Sequence, residues 1–257
     1  SDLAPHDVYL LLAELAYDQR RDLDMAFSWL DKIPASSKAA VRGVLLRIQL
    51  LAEAGRDAEA LDAVRKATSA NPDSSELVEV EVRLLARQKQ MKQALDVAQS
   101  AIKRWPNNAE MFFLLGSLQD ETGDKKAAFK TMEKLLALHP DNYQALNYVG
   151  YTLAEEDRDL DRALTLLVRA NDLAPNQSYI VDSLAWAYFK AGKLDDALKE
   201  IRRAVTLDEH TDASIWEHYG DIAARAGLKD EARTAYQKAM ELKPDNAEAL
   251  RQRLSHL

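Results

Sequence analysis

The chain has 257 residues, of which 47% are hydrophobic and 30% charged, and its eight Gly and seven Pro are too few for a turn-rich β protein, so helices are predicted. Its net charge of −8 argues against a nucleic-acid or anionic-membrane footprint, which needs clustered Lys and Arg. The absence of cysteine excludes disulfides, thiolate zinc sites and cysteine nucleophiles.

No stretch reaches the roughly 18 uninterrupted apolar residues of a membrane span. The run Val8-Tyr9-Leu10-Leu11-Leu12-Ala13 is closed by Asp7 and Glu14 and reads as an ordinary helix face, not a signal remnant. Because the chain starts at Ser1 without Met, a processed or engineered N-terminus is expected, with any address signal removed.

An internal repeat organises everything that follows. Ala26, Ala60, Ala94, Ala128, Ala163, Ala197 and Ala232 succeed one another at steps of 34, 34, 34, 35, 34 and 35. A second ladder of Ala67, Ala101, Ala170, Ala204 and Ala239 runs seven residues behind, with Leu135 in the remaining place, and Pro72, Pro106, Pro140, Pro175 and Pro244 follow five later. Two alanines seven apart share one side of a helix, and their small size admits a neighbouring helix closely. Each unit therefore reads as helix, tight turn, helix, and the predicted units are 7–40, 41–74, 75–108, 109–142, 143–177, 178–212 and 213–246.

In chain order, the first unit keeps Tyr17 and Ala26 but breaks early at Pro34. Gly55, Gly123, Gly192 and Gly227 precede the first ladder by five residues, which suits the left-handed residue that ends a helix. Asp57, Asp124 and Asp195 are then expected to open the following helix. Asn or Asp after the prolines, in Pro106-Asn107-Asn108, Pro140-Asp141-Asn142 and Pro244-Asp245-Asn246, is expected to cap the next unit. Two units carry one extra residue. The spacing puts the first in the acidic turn Glu155-Glu156-Asp157-Arg158-Asp159, and the second around Asp208-Glu209-His210-Thr211. Residues 246–257 are expected to form a capping helix with a polar outer face.

Searching for chemistry yields little. His6, His139, His210, His218 and His256 match no metal-site spacing, and His210 and His218 read as capping or surface residues. Phosphate-cradling glycine loops and a nucleophile elbow are absent. The many carboxylates read as solvated helix faces. No catalytic residue, metal or cofactor is expected.

Trp216, Tyr219-Gly220, Ala232, Tyr236, Ala239 and Pro244, with Phe112, Leu115-Gly116, Ala128 and Pro140, and Leu184, Tyr188, Gly192, Ala197 and Ala204, resemble the tetratricopeptide repeat (TPR) family. The resemblance implies an all-α, right-handed superhelical solenoid of seven helix-turn-helix units plus a C-terminal capping helix. It also implies a non-enzymatic scaffold that binds a protein or peptide segment in a concave groove lined by first helices. Carried residue by residue, that groove takes Arg83, Arg87, Phe113, Asn147, Tyr151, Tyr179, Asp182, Trp186 and Phe189. Tyr and Trp are the types found at binding hot spots, although Trp186 and Phe189 equally suit the inter-helix core. The Lys and Asn clamp with which some TPR proteins grip a terminal carboxylate is missing, its positions being Leu45, Glu79, Phe113, Asn147, Asp182 and Glu217.

A narrower likeness covers Ala145–Ala154 and Asp182–Trp186, which resemble the C-terminal units of bacterial outer-membrane TPR lipoproteins, some of which bring substrates to periplasmic processing proteases. It implies a periplasmic or outer-membrane-associated adaptor, with any lipid anchor outside residues 1–257. A cytoplasmic assembly scaffold is the alternative. An RNA-binding array of ~35-residue helical hairpins is disfavoured by the acidity and by the Leu-Gly, Tyr and Pro pattern.

Overall fold

A computed structural model describes residues 6–207, 212–242 and 246–257, and within them the chain folds into fifteen α-helices and no strand. Seven pairs follow one another: α1 (Asp7–Arg20) with α2 (Leu23–Leu30), α3 (Ala40–Glu53) with α4 (Asp57–Ala70), α5 (Ser75–Arg87) with α6 (Met91–Arg104), α7 (Ala109–Glu121) with α8 (Lys125–Leu138), α9 (Tyr143–Glu155) with α10 (Leu160–Leu173), α11 (Ser178–Lys190) with α12 (Leu194–Leu207), and α13 (Ala213–Arg225) with α14 (Lys229–Glu241). A last helix, α15 (Ala247–Ser255), packs on α14. The chain divides into two compact units, Ser1–Ala128 and Phe129–Leu257.

The alanine ladder is the packing seam. All seven members of the first ladder are completely buried, and all five of the second are buried. In the first unit Leu77, Val82 and Leu85 of α5 pack with Val64, Ala94 and Ala98 of the adjoining second helices. In the second unit Val181 and Ala185 of α11 pack with Ala197, Ile201, Ile215 and Ile222. The core is a row of such clusters, as expected where each repeat buries its apolar face only against neighbours. Leu250 of α15 closes the row against Ala223, Tyr236 and Ala239.

The turns repeat as strictly as the seam. In six of them an amide reaches back five residues to a carbonyl at 2.8–2.9 Å, as in Arg56 to Leu51, Gln90 to Leu85 and Leu228 to Ala223. This closure requires a left-handed residue. Gly55, Gly123, Gly192 and Gly227 supply it at φ of 73° to 87°, whereas Arg21, Lys89 and Asp157 adopt the same region at 50° to 58° without being glycine. The inserted residue lies where the spacing predicted it. The α9–α10 turn holds Asp157 and a second left-handed residue, Asp159 (φ 42°), whose Oδ1 accepts from the Arg162 amide at 3.3 Å. The α12–α13 connection is likewise one residue longer than the four-residue connections that join the second to sixth pairs, and Asp208–Thr211 within it lie outside the described residues.

Caps follow the sequence reading only in part. Asn108 and Asn142 accept from the Met111 and Ala145 amides, each at 2.9 Å, and Asp124 accepts from Ala127 at 3.0 Å. Asp57 and Asp195 instead lie inside the first turns of α4 and α12, where a carboxylate still meets the positive end of the helix dipole. Asn246 makes no side-chain cap and donates its amide to Glu217 Oε2 at 2.7 Å, while Pro244 and Asp245 lie outside the described residues.

Helix pairs approach closely at Gly220, where a Cβ would stand 2.3 Å from the Tyr236 ring. Gly220→Ala is therefore expected to lower stability by about 1–3 kcal/mol through overpacking, in spite of the ~1 kcal/mol that alanine gains in a helix. Thermal unfolding checks this. An unchanged or raised midpoint would mean that the ring moves aside freely.

Candidate functional site

Residues four apart share a helix face, so Asn147 and Tyr151 stand together on α9, and Asp182 and Trp186 on α11. The helices α9, α11 and α13 are neighbours in the second unit. Their facing side chains make one polar-aromatic cluster. His218 Nδ1 on α13 lies 2.9 and 3.0 Å from the two carboxylate oxygens of Asp182. The His218 ring stacks on Trp186, with centroids 4.1 Å apart and planes 18° apart, and Tyr151 stands 6.3 Å from His218. The Trp186 indole N–H donates to Glu155 Oε2 on α9 at 2.6 Å, and Phe189 lies 5.0 Å from Trp186.

Burial decides what each member can do. Asp182 is 6% exposed and Trp186 9%, so both face the protein. Tyr151 and Phe189 are half-buried, and Tyr179 is exposed on the first turn of α11. Asn147 Oδ1 is buried with no hydrogen-bond partner among the described residues. Arg253 of α15 holds the far side of the cluster, 2.9 Å from Glu217 and 2.8 Å from Asp221, and Tyr236 donates to Asp221 at 2.7 Å.

The charges act on one another. Burial pushes the Asp182 carboxyl above its ordinary range, with the neighbouring His218 opposing. Burial pulls His218 down, but Asp182, then Asp221 and Glu155, outweigh it and leave the imidazole more basic than usual. The Tyr151 hydroxyl is held far above its ordinary value by burial and by Glu155, Asp182 and Glu217.

The groove residues assigned from the repeat register separate accordingly. Asn147, Tyr151, Asp182, Trp186 and Phe189 come together in the second unit, with Tyr179 one turn before Asp182. Arg83, Arg87 and Phe113 belong to the first unit. There Phe113 is half-buried, Arg83 pairs with Glu110, and Arg87 meets Asp57 at 3.0 Å and the Ala52 carbonyl. His218, read as a capping or surface residue, is instead an interior partner of Asp182, and Asp182 is not on a solvated face. Its partner lies 36 residues away, one position beyond Glu217, its repeat equivalent. Among the described residues no group of three His, Cys, Asp or Glu is placed to hold a metal ion, and no helix is long and apolar enough to cross a membrane.

Comparison with known proteins bears on the fold. The tetratricopeptide repeat profile matches residues 183–247, and that of the ChAPs (Chs5p-Arf1p-binding proteins) matches residues 9–135. A TPR repeat-containing protein of Pseudomonas aeruginosa is 29% identical over 178 residues, covering 69% of this chain, and the chain spans only 30% of the length of that relative. Among solved structures, a tetratricopeptide repeat protein from Parabacteroides merdae superposes with a TM-score of 0.63 at 17% identity, covering 97% of both chains. YrrB, described as a TPR protein with an unusual peptide-binding site, gives 0.58 at 22% identity, covering 77% of this chain and all of its own. These two likenesses speak for the fold alone. The alanine ladder, the seven helix pairs and the left-handed turns, with the tetratricopeptide match over residues 183–247 and the Pseudomonas relative, support a tetratricopeptide-repeat protein.

Proposed function

We propose that this chain is a non-enzymatic scaffold that binds an extended protein or peptide segment along the α9–α11–α13 face of its second unit. The carrying observation is the buried, unpartnered Oδ1 of Asn147, on the same side of α9 as Tyr151. An unpaired buried acceptor costs about 1–3 kcal/mol, which a backbone N–H of a bound segment would recover once the half-buried Asn147 side chain turns outward to meet it. Tyr151, Tyr179 and Phe189 supply aromatic area beside it, and Asp182 and Trp186 shape the floor. Arg83, Arg87 and Phe113 are proposed to contact partners in the first unit. The likeness to YrrB, a peptide-binding TPR protein by its description, supports the reading.

The finer reading is a periplasmic or outer-membrane-associated adaptor that recruits substrates to a processing protease. It rests on the resemblance of Ala145–Ala154 and Asp182–Trp186 to bacterial lipoproteins of that kind.

Capture from separated envelope and cytosolic fractions tests both levels. Envelope proteins, including a protease, are expected on the parent chain. Tyr151→Ala is expected to weaken their binding by about 2 kcal/mol, roughly 30-fold, with the fold retained. Equal capture by the parent, Tyr151→Ala and Asn147→Ala would remove this face as the binding surface. Capture confined to cytosolic assemblies would replace the adaptor by a cytoplasmic scaffold.

A further inference from the structure

We propose that Asp182 and His218 form a proton-operated latch beneath the binding face: the doubly protonated imidazole ties α11 to α13 and lies flat on Trp186, and losing that proton frees Trp186 from Glu155 and reshapes the face.

Three contacts support it. The imidazole meets both oxygens of the Asp182 carboxylate at 2.9 and 3.0 Å, with only 13% and 8% of the two side chains exposed. Water therefore contributes little screening, and the pair responds strongly to a change of charge. The opposite interaction is the stack on Trp186, 4.1 Å between centroids, which a cationic ring strengthens and a neutral ring weakens. The third is the indole N–H to Glu155 at 2.6 Å, which carries the state of His218 across α11 to α9. One proton thus bears on three successive first helices.

The surroundings favour the charged form. Tyr151 and Glu155 face the pair from α9, and Asp182 from α11, where Lys190 lies 5.8 Å over the Trp186 ring and pairs with Asp157. Asp221 and Glu217 stand on α13, Arg253 of α15 pairs with both, Tyr236 of α14 donates to Asp221, and Asp212 acts on Asp182 from the start of α13. Carboxylates outnumber cations, so His218 holds its proton above the ordinary histidine range. Its contribution is therefore complete below the unfolded value near 6.5 and is lost as pH rises through the higher folded value. On the acid side the window ends where Asp182, itself raised by burial, takes up a proton.

That the latch regulates binding rests on the face proposed above, but its titration needs no ligand. Indole N–H signals of the ¹⁵N-labelled whole chain are followed from about pH 5 to about pH 10 together with the imidazole signals. The Trp186 signal is assigned by its loss in Trp186→Phe. His218 is expected to titrate above the ordinary histidine range, and the Trp186 signal to move with it. In His218→Gln that movement should vanish while the Trp29, Trp105 and Trp216 signals keep their profiles. A wild-type Trp186 signal indifferent to pH, or a His218 that titrates at or below the ordinary histidine value near 6.5, overturns the latch whether or not the variant folds. A latch that titrates as expected beside a Tyr151→Ala variant with normal capture leaves the latch standing and removes the binding reading.

Discussion

Trp186→Ala is expected to lower the free energy of unfolding by about 3–5 kcal/mol, the range for truncating a buried aromatic. Trp186 is 9% exposed, stacked on His218 and hydrogen-bonded to Glu155, so the change removes apolar contact, a ring stack and a charge-assisted bond together. Tyr151→Ala, at a half-buried ring, is expected to cost clearly less in stability and more in binding. Urea unfolding of the two variants side by side measures the difference. A loss of under ~1 kcal/mol for Trp186→Ala would place the indole in the groove and not in the core.

His218→Ala is expected to cost a similar amount at neutral pH, about 3–5 kcal/mol, because it leaves the Asp182 carboxylate buried without its cation. The physical cause predicts a pH signature. Since burial already raises the Asp182 carboxyl, the variant can discharge the strain by taking up a proton there, so its deficit relative to the parent should shrink as pH falls. Asp182→Asn combined with His218→Gln should cost less than His218→Ala, because no unpaired charge remains inside. Urea midpoints at neutral and mildly acidic pH check both statements. A deficit that does not change with pH would mean that the lost ring packing, and not the uncompensated charge, sets the cost.

The repeat register was readable because it is a local demand. An alanine at Ala94 or Ala197 is required by the width of the seam, and the left-handed residue five positions before it by the turn that closes the preceding helix. Arg21, Lys89 and Asp157 escaped that reading because the chain accepts the cost of a left-handed non-glycine residue where the closing hydrogen bond and the packing over-determine the turn. Asn246 failed as a cap for a different reason: its side chain found a carboxylate 29 residues earlier instead of the amides of its own helix. Local propensity lost to a tertiary partner.

Sequence alone determined the class, the helix pairs, the turns and the place of the first inserted residue, all of which depend on neighbours within one repeat. Tertiary structure alone decided that the chain divides at Ala128 and Phe129, although the alanine register runs through that point without interruption. It also decided the character of the site. Spacing put Glu217 at the repeat position equivalent to Asp182, yet the carboxylate pairs with His218, one residue further on, and Trp186 reaches back 31 residues to Glu155. Periodicity specifies which face of a helix is turned inward. The rotation of one helix against the next, set by how the side chains interlock, selects which residue on that face meets which, and so makes Asp182 and Trp186 a buried floor while Asn147 is left with an unanswered acceptor.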